Sequence, residues 1–205
     1  MPELAKRVNE LNAETILDYG CGEGHLFDFL SLNENHLYDL SSDMLSIAKD
    51  RIVKNSRNFF HKQITMDLFG RFDVVVLSLV LITMSSKDEI ISSLREVKSL
   101  LKPTGKLLIG TTHPCFRDQE FSTFFTDFNM DNYFNEFTPL KVSLKTFDEP
   151  ILITDYHKSL GFINKQIEES GLSISKIEEL KDIVVGPFNA NTKVPPYLIL
   201  ECSIN

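Results

Sequence analysis

The order of apolar and polar positions predicts alternating strands and helices over the first 112 residues. Short apolar runs typical of buried strands alternate with segments that carry apolar residues at helical spacing. The predicted strands are 15–19, 36–40, 59–66, 72–80 and 106–112. The predicted helices are 1–14, 25–32 with Leu26, Phe29 and Leu30 on one face, 41–55 with a cap at Ser41 or Ser42, and 86–105 ended by Pro103 and Gly105. This alternation predicts a parallel, doubly wound sheet that binds ligands at the carboxyl ends of its strands.

The pattern changes after residue 112. Residues 113–150 show no regular alternation and are predicted to form an insert after the fifth strand. A helix is predicted over 156–170, ended by Gly171, and two strands over 173–180 and 197–204. Because no helix separates these last strands, they are predicted to pair antiparallel. The whole chain, 1–205, is predicted to be one domain that includes the insert.

A glycine-rich turn follows the first strand. Gly20, Gly22 and Gly24 alternate directly after the apolar run that ends near Asp18. Such a turn lets backbone approach a ligand closely, and the N–H groups beyond it favour an anionic group. A dinucleotide site prefers G-x-G-x-x-G, but the position of its third glycine is His25 here. Asp39 ends the second strand, where a carboxylate can accept hydrogen bonds from ribose hydroxyls. Glycines needed only for packing remain the alternative.

Four segments taken in order resemble the class I S-adenosylmethionine-dependent methyltransferases, small-molecule type. They are ILDYGCGEGHL, YDLSSDMLSIAK, FDVVVLSLVL and LKPTGKLLIGTTHPCF, with weaker similarity in YHKSLGFINKQIEESGL and VPPYLILECSI. The resemblance covers roughly residues 14–112 and 155–204. It implies a seven-stranded sheet of order 3-2-1-4-5-7-6 with strand 7 antiparallel, and S-adenosylmethionine as cofactor with S-adenosylhomocysteine as product.

The resemblance also implies roles for single residues. Asp18 and the backbone of Gly20, Cys21 and Gly22 would hold the methionine portion of the cofactor, and Asp39 its ribose. The remaining cofactor contacts implied are Leu40, Met44, Asp67, Leu68 and Ser78. The segment between the third and fourth strands is shorter than is usual in the family, so the assignment of Asp67 to the adenine departs from the family's pattern. Only one helix precedes the first strand, so a lid over the site is expected to come mainly from elsewhere.

The insert at 113–150 is the predicted lid and substrate-binding region. It holds eight of the sixteen phenylalanines, together with Tyr133. These are Phe116, Phe121, Phe124, Phe125, Phe128, Phe134, Phe137 and Phe147. They can form the insert's own apolar core, or they can line a pocket for an aromatic or otherwise apolar substrate.

Methyl transfer needs alignment, exclusion of water and, for some acceptors, a base. Histidine suits that last role near neutral pH. His113, after the fifth strand, and His157, at the start of the following helix, are the candidates for base or substrate contact; Asp155 and Tyr156 are weaker ones. Of the other histidines, His25 and His36 are interpreted as surface or cap residues, and His61 as a residue of the third strand, far from the expected point of transfer.

Composition narrows the classes of function. The net charge is −8 with no basic cluster, which argues against nucleic acid as partner. The longest apolar run, 74–82, is too short to span a bilayer. Three cysteines, Cys21, Cys115 and Cys202, match neither a metal site nor a disulfide framework. These features predict a cytoplasmic protein without a metal that acts on a small molecule as a monomer or homodimer.

Three alternatives stay open beside a small-molecule methyltransferase. An NAD-linked oxidoreductase is disfavoured by His25 and by the antiparallel last strand. A non-catalytic cofactor-binding partner subunit is not excluded by the intact glycines. A methyltransferase acting on protein or RNA also remains, although the acidic balance disfavours RNA.

Overall fold

The protein, seen as a computed structural model, has a seven-stranded sheet with helices on both faces and a smaller antiparallel sheet beside it. The structure describes residues 1–30, 34–52, 57–184 and 186–205. The helices are α1 (Pro2–Glu10), α2 (Ser42–Arg51), α3 (Lys87–Leu100) and α4 (Leu160–Glu169). The strands are β1 (Thr15–Tyr19), β2 (Glu34–Tyr38), β3 (Asn58–His61), β4 (Phe72–Ser78), β5 (Leu101–Thr112), β6 (Phe124–Thr126), β7 (Pro139–Leu144), β8 (Ile151–Tyr156), β9 (Leu172–Leu180) and β10 (Tyr197–Ile204).

The large sheet has the predicted topology. Its order is β3-β2-β1-β4-β5-β10-β9. The strands from β3 to β5 pair parallel, and β10 pairs antiparallel with both β5 and β9. β1 therefore lies between β2 and β4, so that the turns after β1, β2 and β4 meet at one edge of the sheet.

Two apolar cores hold the helices against this sheet. On one face, Leu94 and Val97 of α3 and Ile163 and Ile167 of α4 pack on strand residues such as Leu107. On the other face, Leu4 and Val8 of α1 pack on alternate residues of β1, β4 and β5. Strands covered on both faces explain why β4 reads as a continuous apolar run rather than as an alternating one.

The predicted helix at 25–32 is wrong. The chain forms only a 3-10 turn over His25–Asp28, and residues 31 and 32 lie outside the described part. Leu26 is buried, but Phe29 is 46% exposed, so the expected apolar face does not form. The turn ends at Phe29, whose φ of −118° departs from helical geometry.

Other element boundaries also differ from the prediction. Ser41 is the cap of α2, and its hydroxyl accepts from the Met44 N–H; the predicted end of this helix at 53–55 lies outside the described residues. β3 ends at His61, opposite the last residue of β2. α3 ends at Leu100, before the predicted end at Pro103 and Gly105. These two residues lie in the first part of β5, where its pairing with β4 shifts register.

The insert contains structure that the sequence pattern did not predict. β6, β7 and β8 form a three-stranded antiparallel sheet, so the insert extends to Tyr156. As a consequence, α4 begins at Leu160 after its cap Ser159, four residues later than the predicted start of this helix at position 156. His157 therefore lies in the connection between β8 and α4 and does not open the helix.

The insert is tied to the connection between β9 and β10 by one buried carboxylate. Asp182 accepts hydrogen bonds from the Ser122 N–H at 2.9 Å, the Ser122 hydroxyl at 2.6 Å and the Asn191 N–H at 2.7 Å. Asp182 is only 7% exposed. Removing the carboxylate would leave three donors without their partner.

We expect Asp182→Ala to lower the free energy of unfolding by roughly 2 to 4 kcal/mol, since buried donors that lose their acceptor are costly. Urea denaturation measures the change. The exposed Asp148, also in the insert, provides the control Asp148→Ala, which should change stability by no more than about 0.5 kcal/mol. Equal stability of the two variants would contradict this account.

Candidate functional site

The glycine turn after β1 is bound to the end of β2. The N–H groups of Gly20 and Cys21 donate to the Tyr38 carbonyl at 2.8 and 2.9 Å. The next N–H, that of Gly22, donates to Asp39 Oδ2 at 2.8 Å. Three successive backbone donors thus hold two strand ends together and fix the shape of the turn.

Gly20 and Gly22 are required for different reasons. Gly20 has φ +80°, and a Cβ there would lie 2.6 Å from Val80 Cγ2, in the segment after β4. Gly22 has φ +52°, but a Cβ there would meet nothing within 4 Å. Gly20 therefore allows close packing, whereas Gly22 needs glycine only for its left-handed backbone beside open space. Packing explains the first glycine but not the second.

Asp39 is held rigidly at the end of β2. While Oδ2 accepts from Gly22, Oδ1 accepts from the Ser41 N–H at 2.8 Å. A carboxylate oxygen can accept more than one hydrogen bond, so each retains capacity for a hydroxyl donor. The side chain is partly exposed, which leaves it accessible to a ligand.

Asp18 presents a buried carboxyl group without a matching partner. The residue is 2% exposed, and its Oδ1 has no hydrogen-bond partner among the described residues. Burial, with a smaller contribution from the nearby charge of Asp39, raises the pKa of Asp18 to about 7. Such a carboxyl would gain most from a cationic ligand group.

A cavity of about 590 Å³ lies at this edge of the sheet. Of the residues predicted to bind cofactor, Gly20, Asp39, Leu40 and Ser78 line it. Leu40 is 77% exposed and Met44 on α2 is 37% exposed, so apolar surface is available beside Asp39. The strand ends therefore bring together polar and apolar groups suited to a nucleoside.

A second cavity, of about 540 Å³, adjoins the first. Both cavities are lined by Ser78 and Leu79, and the second continues along α1, the end of β9 and the start of β10. Leu79 has φ +59°, a left-handed conformation that is strained for a branched side chain. Because Leu79 lines both cavities and has a strained backbone, it is a candidate functional residue.

Three predicted cofactor residues are placed less favourably. Leu68 is 1% exposed and packs in the main core, so its side chain is not available beside a ligand. Asp67 is exposed in a 3-10 turn over Met66–Leu68, after β3. Cys21 is buried, and burial raises the pKa of its thiol well above the ordinary value, which leaves it unreactive.

His113 has both ring nitrogens in hydrogen bonds. Its Nδ1 accepts from the Cys115 N–H at 3.2 Å, and its Nε2 lies 2.9 Å from Glu179 Oε1. The ring also packs on Phe116. This arrangement connects the end of β5 to β9, which is a structural role.

His157 differs because one ring nitrogen is left over. Its Nε2 lies 2.8 Å from the Tyr133 carbonyl oxygen and therefore carries the proton it donates. Its Nδ1 is buried without a hydrogen-bond partner in the part of the chain that the structure describes. Burial lowers the pKa of His157 to about 4, so the ring is neutral and Nδ1 is a free acceptor.

His25 and His61 are placed as interpreted, whereas His36 is 1% exposed within β2 and is therefore not a surface or cap residue. His36 and His61 stack on adjacent strands, with 2.8 Å between His36 Nδ1 and His61 Nε2. His25 is exposed beside Glu23. The two weaker candidates for base or substrate contact differ in burial. Asp155 is 1% exposed, whereas Tyr156 is partly exposed.

Sequence reasoning missed Lys158. The residue is 1% exposed, and its ammonium donates to the carbonyls of Ile82 at 3.2 Å and Met84 at 2.5 Å. Those carbonyls belong to the segment after β4, so Lys158 joins the insert to the wall of the first cavity. Burial lowers the pKa of Lys158 to about 7. The only signal in the sequence was a lysine directly before a helix cap.

The phenylalanines of the insert divide into three groups. Phe121, Phe124 and Phe128 form its own core with Leu140 and Val142, and the partly buried Phe116 packs against that core. Phe137 packs on the main core instead. Phe125, Phe134 and Phe147 are exposed. Much of the aromatic content therefore stabilises the insert.

Two negative findings concern the described residues only. No helix there is both long and apolar enough to cross a bilayer. Within the same residues, no group of three or more histidine, cysteine or acidic side chains is placed to hold a metal ion.

Residues 17–107 match a family model described as "Methyltransferase domain". The chain is 23% identical over 196 residues to N-demethylindolmycin N-methyltransferase of Streptomyces griseus, covering 93% of this chain and 81% of the relative. It is 28% identical over 100 residues to Nodulation protein S of Azorhizobium caulinodans, covering 47% of this chain. That alignment spans about half of the relative's length, 48%.

The fold is similar to that of the glycopeptide N-methyltransferase MtfA, solved in complex with S-adenosyl-L-homocysteine. The TM-score is 0.70 at 16% sequence identity, covering 99% of this chain and 86% of the other. The order of the seven strands, with an antiparallel partner between β5 and β9, agrees with this similarity.

The raised pKa of Asp18 predicts a pH dependence of stability. Because the folded state binds the Asp18 proton more tightly than the unfolded state does, the contribution of Asp18 to stability falls as pH rises from about 4 to about 7 and then levels off. A pKa rise from 3.8 to about 7 corresponds to roughly 4 kcal/mol. His36 and His157, whose pKa values burial lowers to about 4, act in the opposite direction in both proteins, so the prediction concerns the difference between the wild type and Asp18→Asn. In urea denaturation without ligand, the difference in free energy of unfolding should shift in favour of Asp18→Asn by roughly 4 kcal/mol between pH 4 and pH 8. A difference that stays constant with pH would contradict this account.

Proposed function

We propose that this chain is an S-adenosylmethionine-dependent methyltransferase of the class I fold that methylates a small molecule with an aromatic or otherwise apolar body. The observation that carries the proposal is the pair of adjoining cavities at the carboxyl ends of β1, β2 and β4. One fits the cofactor, and the other fits a second small molecule. Ser78 and Leu79, which line both, mark where the two ligands would meet.

The residues at the first cavity fit S-adenosylmethionine. Its ammonium group is the cationic partner that the buried Asp18 carboxyl lacks. Its ribose hydroxyls match the remaining acceptor capacity of Asp39, and exposed Leu40 and Met44 offer apolar surface for the adenine. Ser78 and the backbone of Gly20, Cys21 and Gly22 complete the proposed set. Asp67 is kept as an adenine contact, whereas Leu68 can contribute only its backbone.

The cofactor, when bound, supplies an electrophilic methyl group on a sulfonium. This chain's residues have to align the acceptor with it and keep water out. Leu4, Leu79 and Leu198 are apolar residues lining the second cavity. No enzyme nucleophile is needed for a direct displacement.

An amine nitrogen is the acceptor atom to test first. The relative from Streptomyces griseus, whose alignment spans most of both chains, is named an N-methyltransferase. An amine must be deprotonated before it can attack, and a hydrogen-bond acceptor can then orient its N–H group toward the methyl group. His157, with its free neutral Nδ1, suits such a contact better than His113, whose two nitrogens are engaged.

The insert at 113–150, continued by β8, serves as the lid in this proposal. Lys158 holds the end of the insert on the segment after β4, which lines the first cavity. Thr123 and Tyr197, hydrogen bonded to each other at 2.9 Å, line the second cavity. The insert thus contributes to the walls of the acceptor cavity.

Calorimetric titration tests the cofactor assignment. We expect S-adenosylmethionine and S-adenosylhomocysteine to bind with micromolar dissociation constants and NAD not to bind. Asp39→Ala should weaken both adenosyl ligands at least tenfold, because it removes the ribose acceptor and the support of Gly22.

The control is Asp43→Ala, an exposed acidic residue in the first turn of α2. It should bind both adenosyl ligands as the wild type does. Absence of adenosyl binding to the wild type, or equal weakening in both variants, would contradict the assignment.

Turnover tests the histidines once screening of amines and phenols with labelled S-adenosylmethionine has found an acceptor. We expect His157→Ala to lower kcat/KM at least tenfold while leaving S-adenosylhomocysteine affinity unchanged, since even a small misalignment of an acceptor lowers the rate strongly. His113→Ala should mainly lower the melting temperature. Unchanged turnover in His157→Ala would show that His157 is not a base or substrate contact.

A further inference from the structure

The insert buries a group of charged and polar side chains whose hydrogen bonds are incomplete. Arg117, Asp155 and His157 are each 2% exposed or less. Among the described residues, no hydrogen-bond partner exists for Arg117 Nε and Nη1, Asp155 Oδ1 or His157 Nδ1. Buried polar atoms are normally satisfied, so several unsatisfied ones in a single region of the fold need an explanation.

These side chains interact electrostatically. Arg117 and Asp155 are close enough for each charge to act on the pKa of the other, but they form no ion pair within 4 Å in the described structure. Burial lowers the pKa of Arg117 to about 10 and raises that of Asp155. His157 and Lys158 feel the same guanidinium charge.

The cost of this arrangement is large. A guanidinium removed from water with two of its three nitrogens lacking hydrogen-bond partners costs several kcal/mol, and replacing a buried charged group by an apolar side chain often stabilises a protein. Folding alone therefore gives no reason for Arg117. Residues that reduce stability in this way are typical of binding and catalytic sites.

The surroundings indicate what would satisfy the group. Phe128, part of the insert's apolar core, stacks on the His157 ring at 4.3 Å. Lys158 adds a second cation, and it links the group to the segment after β4 that lines the cofactor cavity. Lys158 lies near the carboxylates of Glu89 and Glu136 as well as Asp155, so the unmet cationic donors of the group are those of Arg117. Unpartnered guanidinium donors beside apolar rings favour an anionic ligand with an apolar body. The flat, forked donors of arginine match a carboxylate.

We propose that Arg117 binds a carboxylate of the acceptor molecule, with Asp155 and His157 accepting from an N–H or O–H group of the same molecule. This inference rests on the proposed function and specifies its substrate class. The acceptor is then an aromatic or apolar carboxylic acid that carries a hydrogen-bond donor. Arg117 and Asp155 are specificity-determining residues, and the insert holds the acid in place.

The first test compares two probes on the protein loaded with S-adenosylhomocysteine. 3-Phenylpropanoate and 3-phenylpropanamide share their ring and length, but only the first has a carboxylate. Calorimetry should show the acid binding at least tenfold more tightly than the amide. Arg117→Met should abolish the difference and leave the affinity for S-adenosylhomocysteine unchanged.

The second test needs no probe. Arg117→Met should raise the melting temperature of the free protein by several degrees, since an unsatisfied buried charge is removed. Arg7→Met is the matched control, because Arg7 is part-buried and paired with Glu201 and Glu10. It should lower the melting temperature and leave the preference for the acid intact.

Two results would overturn the inference while leaving the methyltransferase proposal standing. One is acid and amide binding equally, or neither binding, to a protein that binds S-adenosylhomocysteine. The other is a fall in melting temperature for Arg117→Met comparable to that for Arg7→Met, which would make Arg117 a structural residue. Failure of S-adenosylhomocysteine to bind would instead contradict the proposed function itself.

Discussion

The hydrogen bond from the Gly22 N–H to Asp39 is the interaction on which the site depends. It connects the turn after β1 with the end of β2. The neighbouring N–H groups of Gly20 and Cys21 strengthen this connection by donating to the Tyr38 carbonyl. Because Asp39 also accepts from Ser41, the same carboxylate fixes the start of α2. The glycines make this geometry possible, and the apolar cores on both sheet faces keep the strands in register.

Desolvation is the second constraint, and it acts at two places. At Asp18 and at the group of Arg117, Asp155 and His157, the fold buries polar atoms that it does not satisfy. Asp18 lies two residues before Gly20, which lines the first cavity, and Arg117 follows the carboxyl end of β5, the end of the sheet at which ligands bind in folds of this type. A bound cofactor and acceptor would supply the missing partners, so the same atoms that weaken the free protein would favour the complex.

The central sheet and its glycine turn could be predicted because their signals are local. Short stretches of sequence determine the buried strands, the cap at Ser41 and the turn at Gly20 and Gly22. The family resemblance then supplied the order of the strands in the sheet. The insert could not be predicted in this way. β6 has three residues, and β8 exposes Ile151 and Leu152, so neither shows a clear alternation. The burial of Arg117 and Lys158 depends on contacts distant in sequence, which no pattern along the chain records.

The most direct test of the account is the ionisation of Asp18, because it separates a cofactor site from a turn that only solves a packing problem. Carbon-13 NMR of the Asp18 carboxyl, assigned with Asp18→Asn, would measure its pKa with and without S-adenosylhomocysteine. The account predicts a pKa near 7 in the free protein and a value several units lower when the ligand's ammonium group is bound. A pKa that is the same in both samples would contradict the claim that this edge of the sheet is built for the cofactor.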